Sequence, residues 1–312
     1  MIKKPLVFVL GAGASIPFGL PSGRQLLIGI YKHLSDSSTK FSRLLMQIGF
    51  KQQSMLLFKE QLYNSMLPSV DAFLEKRPEF LDIGKAAIAA ALIPFENRDQ
   101  INRNPEKIHW YEYLFGKLAG VKLEDFKDNK ISFITYNYDR SLEYFLLTAI
   151  QNSYGLSYEQ AAETILNFPI IHVHGQLGHL PKFQQNVLEY GFCHGQELNP
   201  EIIRMAMSEI KIIFELESTT PEFKKARELL NQSSKICFLG FGYHSTNIIR
   251  LMQNFKENNF ISERIIGSAY GIEIGERPEI ENTFKKYNRT KIYLGERDQD
   301  VLAFIRSKNI FE

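Results

Sequence analysis

Three side chains of different chemistry occur in two short motifs, each directly after an apolar run that is typical of a buried strand. Asn137 and Asp139 belong to the sequence Thr-Tyr-Asn-Tyr-Asp at residues 135–139, and His174 belongs to His-Val-His-Gly at residues 172–175. An amide can orient a water or a ribose hydroxyl, a carboxylate can accept hydrogen bonds from a carboxamide, and an imidazole can act as a base near neutral pH. This set suits cleavage of a dinucleotide's glycosidic bond better than it suits hydride transfer.

A glycine-rich turn follows the first apolar run of the chain. Gly11, Ala12, Gly13 and Ser15 permit a tight turn and close approach of the backbone to a phosphate at the N-terminus of the next helix. The dinucleotide fingerprint is incomplete, because Ile16 occupies the place of the third glycine and no acidic residue ends a second strand about 20 residues further on. The motif therefore argues against an ordinary nicotinamide dehydrogenase. A tight strand-to-helix turn without a ligand is the alternative, in which Ser15 caps the turn instead of donating to a phosphate.

Helix capping is the alternative explanation for the amide and the carboxylate. Asn and Asp are good N-cap residues, and a helix is predicted to begin at Ser141. For Asp139, ligand binding and capping are equally compatible with the sequence, whereas for Asn137 we favour a functional role.

A histidine-rich segment is the best candidate for a metal site, since four of the seven histidines fall between residues 172 and 194. The possible ligands are His172, His174, His179, Cys193 and His194. Their spacing fits no standard ligand pattern, and His174 before a glycine at a strand end fits a catalytic base equally well. We therefore expect no metal, and we interpret His172, which lies deeper in the strand, as a core histidine with satisfied hydrogen bonds.

A second glycine-bearing strand end is predicted at Gly240, Phe241, Gly242 and Tyr243, after the apolar run at residues 235–239. Backbone in this position can pass near a ribose or a phosphate of a bound nucleotide. A plain turn covered by an aromatic side chain is the alternative.

Apolar runs of strand-like length alternate with helical patterns over most of the chain. Such alternation predicts an α/β fold: a Rossmann-like parallel sheet with right-handed crossovers and helices on both faces. The predicted strands span residues 4–10, 131–135, 169–173, 235–239, 264–274 and 291–294. Residues 39–126 and 177–231 show few strand signals and are predicted to be helical insertions in a single domain of residues 1–312. Ser22 is predicted to cap a helix that begins at Gly23.

The composition is that of an ordinary globular protein. The 312 residues are 44% hydrophobic and 23% charged, with a formal net charge of +2. The chain can therefore bury a large core, but it has no global field for nucleic acid or acidic membranes. The two cysteines, Cys193 and Cys237, suit a reducing compartment. The N-terminal apolar run is too short for a secretion signal, and no stretch approaches the roughly 18 apolar residues of a membrane span. We expect a cytoplasmic protein that binds neither nucleic acid nor a membrane directly.

Taken in their order along the chain, these motifs resemble the sirtuin superfamily, in particular the sirtuin-like domains of bacterial antiphage defence proteins. The resemblance covers most of the chain, although the helical insertions match only in kind. The matching segments are residues 11–15 with 19–22, residues 135–139, residues 174–175 and residues 240–243.

The resemblance implies a role for each matched residue in binding or cleaving NAD+, which is a substrate in this family. Asn137 and His174 match the catalytic pair, and Asp139 matches the carboxylate that contacts the nicotinamide amide. The glycine motif matches the loop that holds the diphosphate and the adenosine half. In the loop near the adenine ribose, Phe241 replaces the family's usual hydroxyl residue. The residues that the resemblance assigns to NAD+ binding, besides Asp139, are Gly11, Ala12, Gly13, Ser15, Thr135, Gly240, Gly242 and Tyr243.

The departures from the family concern the acyl-lysine substrate. Protein deacylases of this superfamily carry two CxxC pairs on a zinc module, whereas this chain has one cysteine between His174 and Lys235. The second predicted insertion occupies that place, and the deacylase Asp-Phe-Arg signature is also absent. Water is then the expected acceptor, and the expected reaction is hydrolysis of NAD+ to nicotinamide and ADP-ribose without a metal.

The resemblance also implies a biological setting, which is a regulated effector of antiphage defence that depletes NAD+. The alternatives are a subunit that senses NAD+ or ADP-ribose without turnover, and a protein deacylase. Because the chain has no obvious sensor domain, we expect control by homo-oligomerisation through residues 39–126, or by a partner subunit such as an ATPase or an Argonaute-like protein.

Overall fold

A parallel sheet forms the centre of the protein in the computed structural model. The described residues are 1–101, 107–180, 198–212, 220–253, 255, 265–288, 291–308 and 310–311. They contain a six-stranded sheet with the strand order β3-β2-β1-β4-β5-β6, in which all neighbouring strands are parallel. The strands are β1 Leu6–Leu10, β2 Ile131–Thr135, β3 Ile170–His172, β4 Lys235–Leu239, β5 Ile265–Gly267 and β6 Ile292–Leu294. The predicted Rossmann-like α/β class is confirmed.

Helices make up most of the remaining described chain. They are α1 Gly23–Leu34, α2 Lys40–Gln47, α3 Gln52–Asn64, α4 Val70–Lys76, α5 Leu81–Leu92, α6 Arg98–Ile101, α7 Trp110–Leu118, α8 Leu123–Lys127, α9 Ser141–Tyr154, α10 Tyr158–Ile165, α11 Pro200–Glu209, α12 Pro221–Gln232, α13 Ser245–Met252, α14 Arg277–Asn288 and α15 Val301–Ser307. None of these described helices is both long and apolar enough to cross a lipid bilayer.

Strand β1 shows why the sheet lies between two layers of helices. Its sequence is Leu-Val-Phe-Val-Leu, and all five residues are buried. Successive side chains of a strand point to opposite faces. Leu6, Phe8 and Leu10 therefore join an apolar core with residues of α7, α9 and α15, whereas Val7 and Val9 join another core with residues of α12 and α13. A parallel strand that is apolar on both faces requires a helical layer on each side.

The carboxyl ends of β1 to β4 lie at the same level. Leu10 pairs with Thr135 of β2 and with Leu239 of β4, and Thr135 pairs with His172 of β3. The loops that carry the motifs therefore leave the sheet side by side. The chain moves from β1 to β2 and β3 on one side and then returns to β4 on the other. Strand β1 is thus at the topological switch point, where open α/β sheets bind ligands.

A second helical core lies beside the sheet. Helices α2 to α8 fill the described part of residues 39–126. The apolar core is centred on α5, in which residues 86–92 are all buried. Helix α5 contacts α1 to α4 and also α11. Because α11 belongs to residues 177–231, the two predicted insertions share one helical core.

The start of helix α1 agrees with the sequence-based prediction, whereas the end of strand β5 does not. Helix α1 begins at Gly23, and the Ser22 hydroxyl caps it by accepting a hydrogen bond from the Gln25 N–H, as predicted. The strand predicted over 264–274 is too long, because β5 ends at Gly267 and the backbone turns, with Gly271 in the left-handed region at a φ of +74°. Cys193 and His194 lie outside the described residues.

Candidate functional site

A cavity of about 490 Å³ lies at the carboxyl ends of β1 to β4. Its volume is in the range of sites for small ligands. Its lining residues come from the loops that follow these strands, and also from the start of α1, the residues around α4 and the end of α5. The predicted site residues that line the cavity are Gly11, Ala12, Gly13, Ser15, Asn137, Asp139, His174, Gly240 and Gly242.

Two residues that the sequence predicts to bind NAD+, Thr135 and Tyr243, do not line the cavity in the described structure. Both are buried, and each satisfies a backbone group instead. Thr135 Oγ1 accepts a hydrogen bond from the Asn137 N–H at 3.0 Å, and the Tyr243 hydroxyl donates to the Ser268 carbonyl at 2.9 Å. These side chains support the loops of the site rather than forming its surface.

The glycines of the first loop allow two loops to pack against each other. A β-carbon on Gly13 would lie 2.8 Å from Gly240 Cα, and one on Gly240 would lie 2.0 Å from the Ala14 nitrogen. The Gly13 N–H donates to the Gly240 carbonyl at 2.9 Å, and the N–H groups of residues 11, 14 and 15 also have backbone acceptors. Among residues 11–15, Ala12 is the one whose N–H has no described acceptor. In this conformation the loop therefore offers one N–H donor to a phosphate.

The Asn137 amide has a defined orientation. Its Nδ2 donates to the Gly11 carbonyl at 3.1 Å and to Ser15 Oγ at 3.0 Å. Because a carbonyl oxygen can only accept, the nitrogen of the amide must face Gly11. No described residue donates to Oδ1. The amide therefore presents a hydrogen-bond acceptor for a ligand in the cavity.

The Asp139 carboxylate lies at the cavity and also contacts the first residue of α9. Its Oδ2 accepts from Ser15 Oγ at 3.0 Å, which links it to the amide of Asn137. Its Oδ1 accepts from the N–H and the hydroxyl of Ser141, the first residue of α9, although the N-cap position itself is Arg140. Burial raises the pKa of Asp139, and the charge of Glu96 adds to this effect against the hydrogen bonds from Ser141 and Ser15. Asp139 lines the cavity and also supports the start of α9.

His174 is 5% exposed and lines the cavity from the loop after β3. Its Nε2 is buried and has no hydrogen-bond partner in the described structure, and its ring lies edge-on to the Tyr136 ring with centroids 4.8 Å apart. Burial, together with the charge of Arg250, lowers the pKa of His174 to about 3. The ordinary histidine pKa that the sequence suggests for a base does not hold in this fold. The imidazole is neutral at physiological pH.

His172 is the satisfied core histidine that the sequence predicts. Its Nδ1 lies 2.9 Å from the Asn137 carbonyl oxygen, and its Nε2 lies 2.6 Å from Glu143 Oε1. Both ring nitrogens of His172 therefore have hydrogen-bond partners, whereas Nε2 of His174 has none in the described structure. Within the part of the chain that the structure describes, no group of three or more His, Cys, Asp or Glu side chains is arranged to hold a metal ion.

The part of the cavity wall that α4 contributes was not predicted from the sequence. Ser69, Asp71 and Glu75 line the cavity from α4 and the residue before it. Asp71 accepts a hydrogen bond from the Tyr138 hydroxyl, and burial raises the pKa of Asp71 against this bond. None of the described residues that line the cavity is Lys or Arg, so its carboxylates are not neutralised there. No local sequence signal identifies these residues, because their place depends on how the first insertion folds back onto the sheet.

The first turn of α13 is a second unpredicted part of the site. Thr246 and Asn247 line the cavity, and Asn247 Oδ1 is buried without a partner in the described structure. The Tyr136 hydroxyl donates to the Asn247 backbone carbonyl at 3.1 Å, which joins this turn to the motif after β2. Gly23 at the start of α1 also lines the cavity, so the N-terminal turns of two helices lie at it.

No protein-family model matches this chain, and a search of curated proteins finds no significant match.

Proposed function

We propose that this chain is an NAD+ glycohydrolase, which breaks the nicotinamide–ribose bond of NAD+ and releases nicotinamide and ADP-ribose. The observation that carries the proposal is that two polar atoms without described partners, Asn137 Oδ1 and His174 Nε2, belong to residues that line one cavity. The carboxylate of Asp139 lines the same cavity. The resemblance of the motif order to the sirtuin superfamily supports the same assignment.

The proposed reaction begins with cleavage of the bond between the anomeric carbon of the ribose and the pyridinium nitrogen. The bonding electron pair leaves with nicotinamide, which departs neutral, and the ribose becomes an oxocarbenium ion. A water held by Asn137 Oδ1 attacks this carbon, and His174 accepts the proton that the water loses before it passes to solvent. Because the pKa of His174 is lowered to about 3, its imidazole is neutral and does not repel the cation.

The test is NAD+ consumption by the purified protein, with the products separated by chromatography. Asn137→Ala and His174→Ala should each lower turnover at least about 100-fold, as expected for groups that act on the reacting atoms. Asn152→Ala and His33→Ala, which replace exposed residues outside the cavity, are the matched controls and should keep wild-type turnover. Wild-type turnover in either cavity variant would contradict the assigned roles.

Binding without turnover is a second candidate function, and the lowered pKa of His174 favours it. A histidine with a pKa of about 3 is a weak base at neutral pH, whereas efficient general bases have a pKa near the working pH. A sensor of NAD+ or ADP-ribose needs only the acceptors of the cavity. Calorimetry that shows NAD+ binding to the wild type, with no product formed by the same sample, would favour this candidate.

We extend the proposal to the setting that the resemblance implies, a cytoplasmic effector of antiphage defence that depletes NAD+ when it is activated. Cys237 is a buried free thiol, as a reducing compartment permits. Control by self-assembly through residues 39–126 is supported by exposed apolar side chains on and after α3, namely Leu56, Leu57, Tyr63 and Met66. A partner ATPase or Argonaute-like subunit is a prediction from the resemblance alone.

A further inference from the structure

We propose that His172 and Glu143 are a positioning pair for Asn137, and that the pair holds the Asn137 backbone only while His172 carries two ring protons. The inference rests on the proposed function, because it assumes that Asn137 acts on the substrate. Neither His172 nor Glu143 lines the cavity. Their effect on the reaction therefore has to pass through Asn137.

The geometry connects the pair to one peptide group. His172 is the last residue of β3 and lies opposite Thr135 at the end of β2. Its Nδ1 is 2.9 Å from the Asn137 carbonyl oxygen, and its Nε2 is 2.6 Å from Glu143 Oε1 of α9. Both side chains of the pair are buried. The imidazole thus joins strand β3, the catalytic motif and helix α9.

With Glu143 ionised, the two contacts together require a doubly protonated ring. The Asn137 carbonyl oxygen can only accept a hydrogen bond, so Nδ1 must carry a proton. An ionised Glu143 carboxylate also only accepts, so Nε2 must carry a proton as well. A neutral imidazole has one N–H and would place a lone pair against one of these two oxygens. Loss of the second proton therefore breaks the contact with either Asn137 or Glu143.

The charges around His172 favour this protonated state. Burial lowers the pKa of His172, but the charge and hydrogen bond of Glu143, the hydrogen bond to the Asn137 carbonyl and the charge of Asp139 raise it, so that it lies above the ordinary value. His179, which follows β3, is a further titratable group that interacts with His172. The charge of Glu143 and the hydrogen bonds at both ring nitrogens thus favour the imidazolium form of His172.

The other contacts of Asn137 do not respond to pH in the same way. Thr135 Oγ1 accepts from its backbone N–H, and the Gly11 carbonyl and Ser15 Oγ accept from its side chain. None of these three groups titrates near neutral pH. A buried ion pair is often replaceable by apolar side chains without loss of stability. The location of the His172–Glu143 pair beside Asn137 is therefore explained better by a role in positioning Asn137 than by a contribution to stability.

The pH dependence of kcat tests the pair. Wild-type kcat should fall at alkaline pH, with a midpoint above the ordinary histidine pKa of 6.5. Glu143→Gln removes the carboxylate charge and should move this midpoint down by about one unit, which lowers kcat about tenfold on the alkaline side while KM changes little. In His172→Gln, which keeps a donor for the carbonyl but does not titrate, the alkaline fall should disappear.

Glu209→Gln is the matched control. Glu209 lies 3.8 Å from His179, so the variant removes a carboxylate from a neighbouring histidine that has no described contact with Asn137. Its midpoint should equal that of the wild type. The proposal would be overturned if Glu143→Gln had the same midpoint as the wild type. It would also be overturned if Glu143→Gln and Glu209→Gln shifted the midpoint equally.

A nuclear magnetic resonance titration tests the coupling between His172 protonation and Asn137 without relying on turnover. With ¹⁵N-labelled histidine, His172 should be doubly protonated at pH 7 in the wild type and lose its second proton at a lower pH in Glu143→Gln. The Asn137 side-chain amide signals should shift with the same midpoint. If the wild type does not cleave NAD+, the proposed function fails while this titration still tests the coupling. Titration of His172 with unchanged Asn137 signals would overturn the positioning role.

Discussion

At the scale of residues, the properties of the candidate catalytic groups are set by what surrounds them. The orientation of the Asn137 amide follows from the Gly11 carbonyl and the Ser15 hydroxyl that accept its hydrogen bonds. The two histidines of the motif at residues 172–175 have opposite pKa shifts, raised for His172 and lowered to about 3 for His174. The Glu143 carboxylate raises the pKa of His172, whereas burial, together with the charge of Arg250, lowers the pKa of His174.

The lowered pKa of His174 makes stability depend on pH. In the unfolded chain the imidazole takes up a proton below about pH 6.5, whereas in the folded protein it stays neutral down to about pH 3. The contribution of this residue to stability is therefore complete above pH 6.5 and is lost as the pH falls towards 3. The free energy of unfolding should fall between pH 7 and pH 4.5 in both the wild type and His174→Gln. The fall should be about 2 kcal/mol smaller in His174→Gln than in the wild type.

Urea unfolding at the two pH values measures this difference. His33→Gln, which replaces an exposed histidine, is the control and should show the wild-type difference. Equal differences in the wild type and in His174→Gln would show that His174 is not buried as a neutral group.

At the scale of elements, the two glycine loops form one packed unit at the switch point. Gly240 has a φ of +56° and lies against Gly13 and Ala14. The loop after β4 is in turn held by Ser268, whose hydroxyl accepts from the Gly240 N–H at 2.8 Å. The loops after β1 and β4 and the end of β5 therefore depend on one another.

Gly240→Ala should be strongly destabilising, whereas Gly242→Ala should be tolerated. A β-carbon at residue 240 would lie 2.0 Å from the Ala14 nitrogen in the left-handed region, but one at residue 242 would come no closer than 3.5 Å to the His244 side chain. We expect a loss of about 3 kcal/mol for Gly240→Ala from strain and overpacking, and less than about 1 kcal/mol for Gly242→Ala. Thermal unfolding compares the two variants, and similar melting temperatures would contradict this account of the loop packing.

Under the proposed function, we expect helix α4 to affect which nucleotides the cavity accepts. Asp71 and Glu75 line the wall that α4 contributes, and no described lining residue is Lys or Arg. An additional phosphate should therefore be disfavoured, and we expect NAD+ to bind better than NADP+. Glu75→Lys should raise the affinity for NADP+ about fivefold, which corresponds to about 1 kcal/mol for a partly exposed charge pair.

Calorimetric titration with both nucleotides measures this preference. Glu79→Lys changes an exposed carboxylate of the same insertion that does not line the cavity, and it should leave both affinities unchanged. A wild type that prefers NADP+ would contradict the role of this wall.

At the scale of the whole molecule, the sheet and the helical core meet at the cavity, and the outer surface of the helical core is available for assembly. Leu57 on α3 is 51% exposed. Under the proposed self-assembly through this surface, Leu57→Glu should give a lower mass in solution than the wild type, because a charge would be buried in the contact. Val121→Glu changes an exposed apolar residue elsewhere in the same insertion and should not. Light scattering after gel filtration gives the masses, and a monomeric wild type would contradict self-assembly.

The sequence by itself determined the parallel sheet and the position of the motifs at the ends of its strands. Continuous apolar runs such as β1 and glycine-bearing turns such as that at Gly11 depend on neighbours in the chain, so local patterns are sufficient to predict them. The same patterns predict that residues in the loops after β1 to β4 meet at the cavity. The reason is that parallel strands present their carboxyl ends on one edge of the sheet.

Only the tertiary structure decided the chemical state of these groups and which residues of the helical core reach the cavity. The neutral state of His174 depends on burial beneath residues distant in sequence, and the few free N–H groups of the first glycine loop depend on contact with Gly240. Asp71 and Glu75 reach the cavity because α5 packs against both α1 and α4. Such properties arise from long-range packing, and no local pattern of residues contains them.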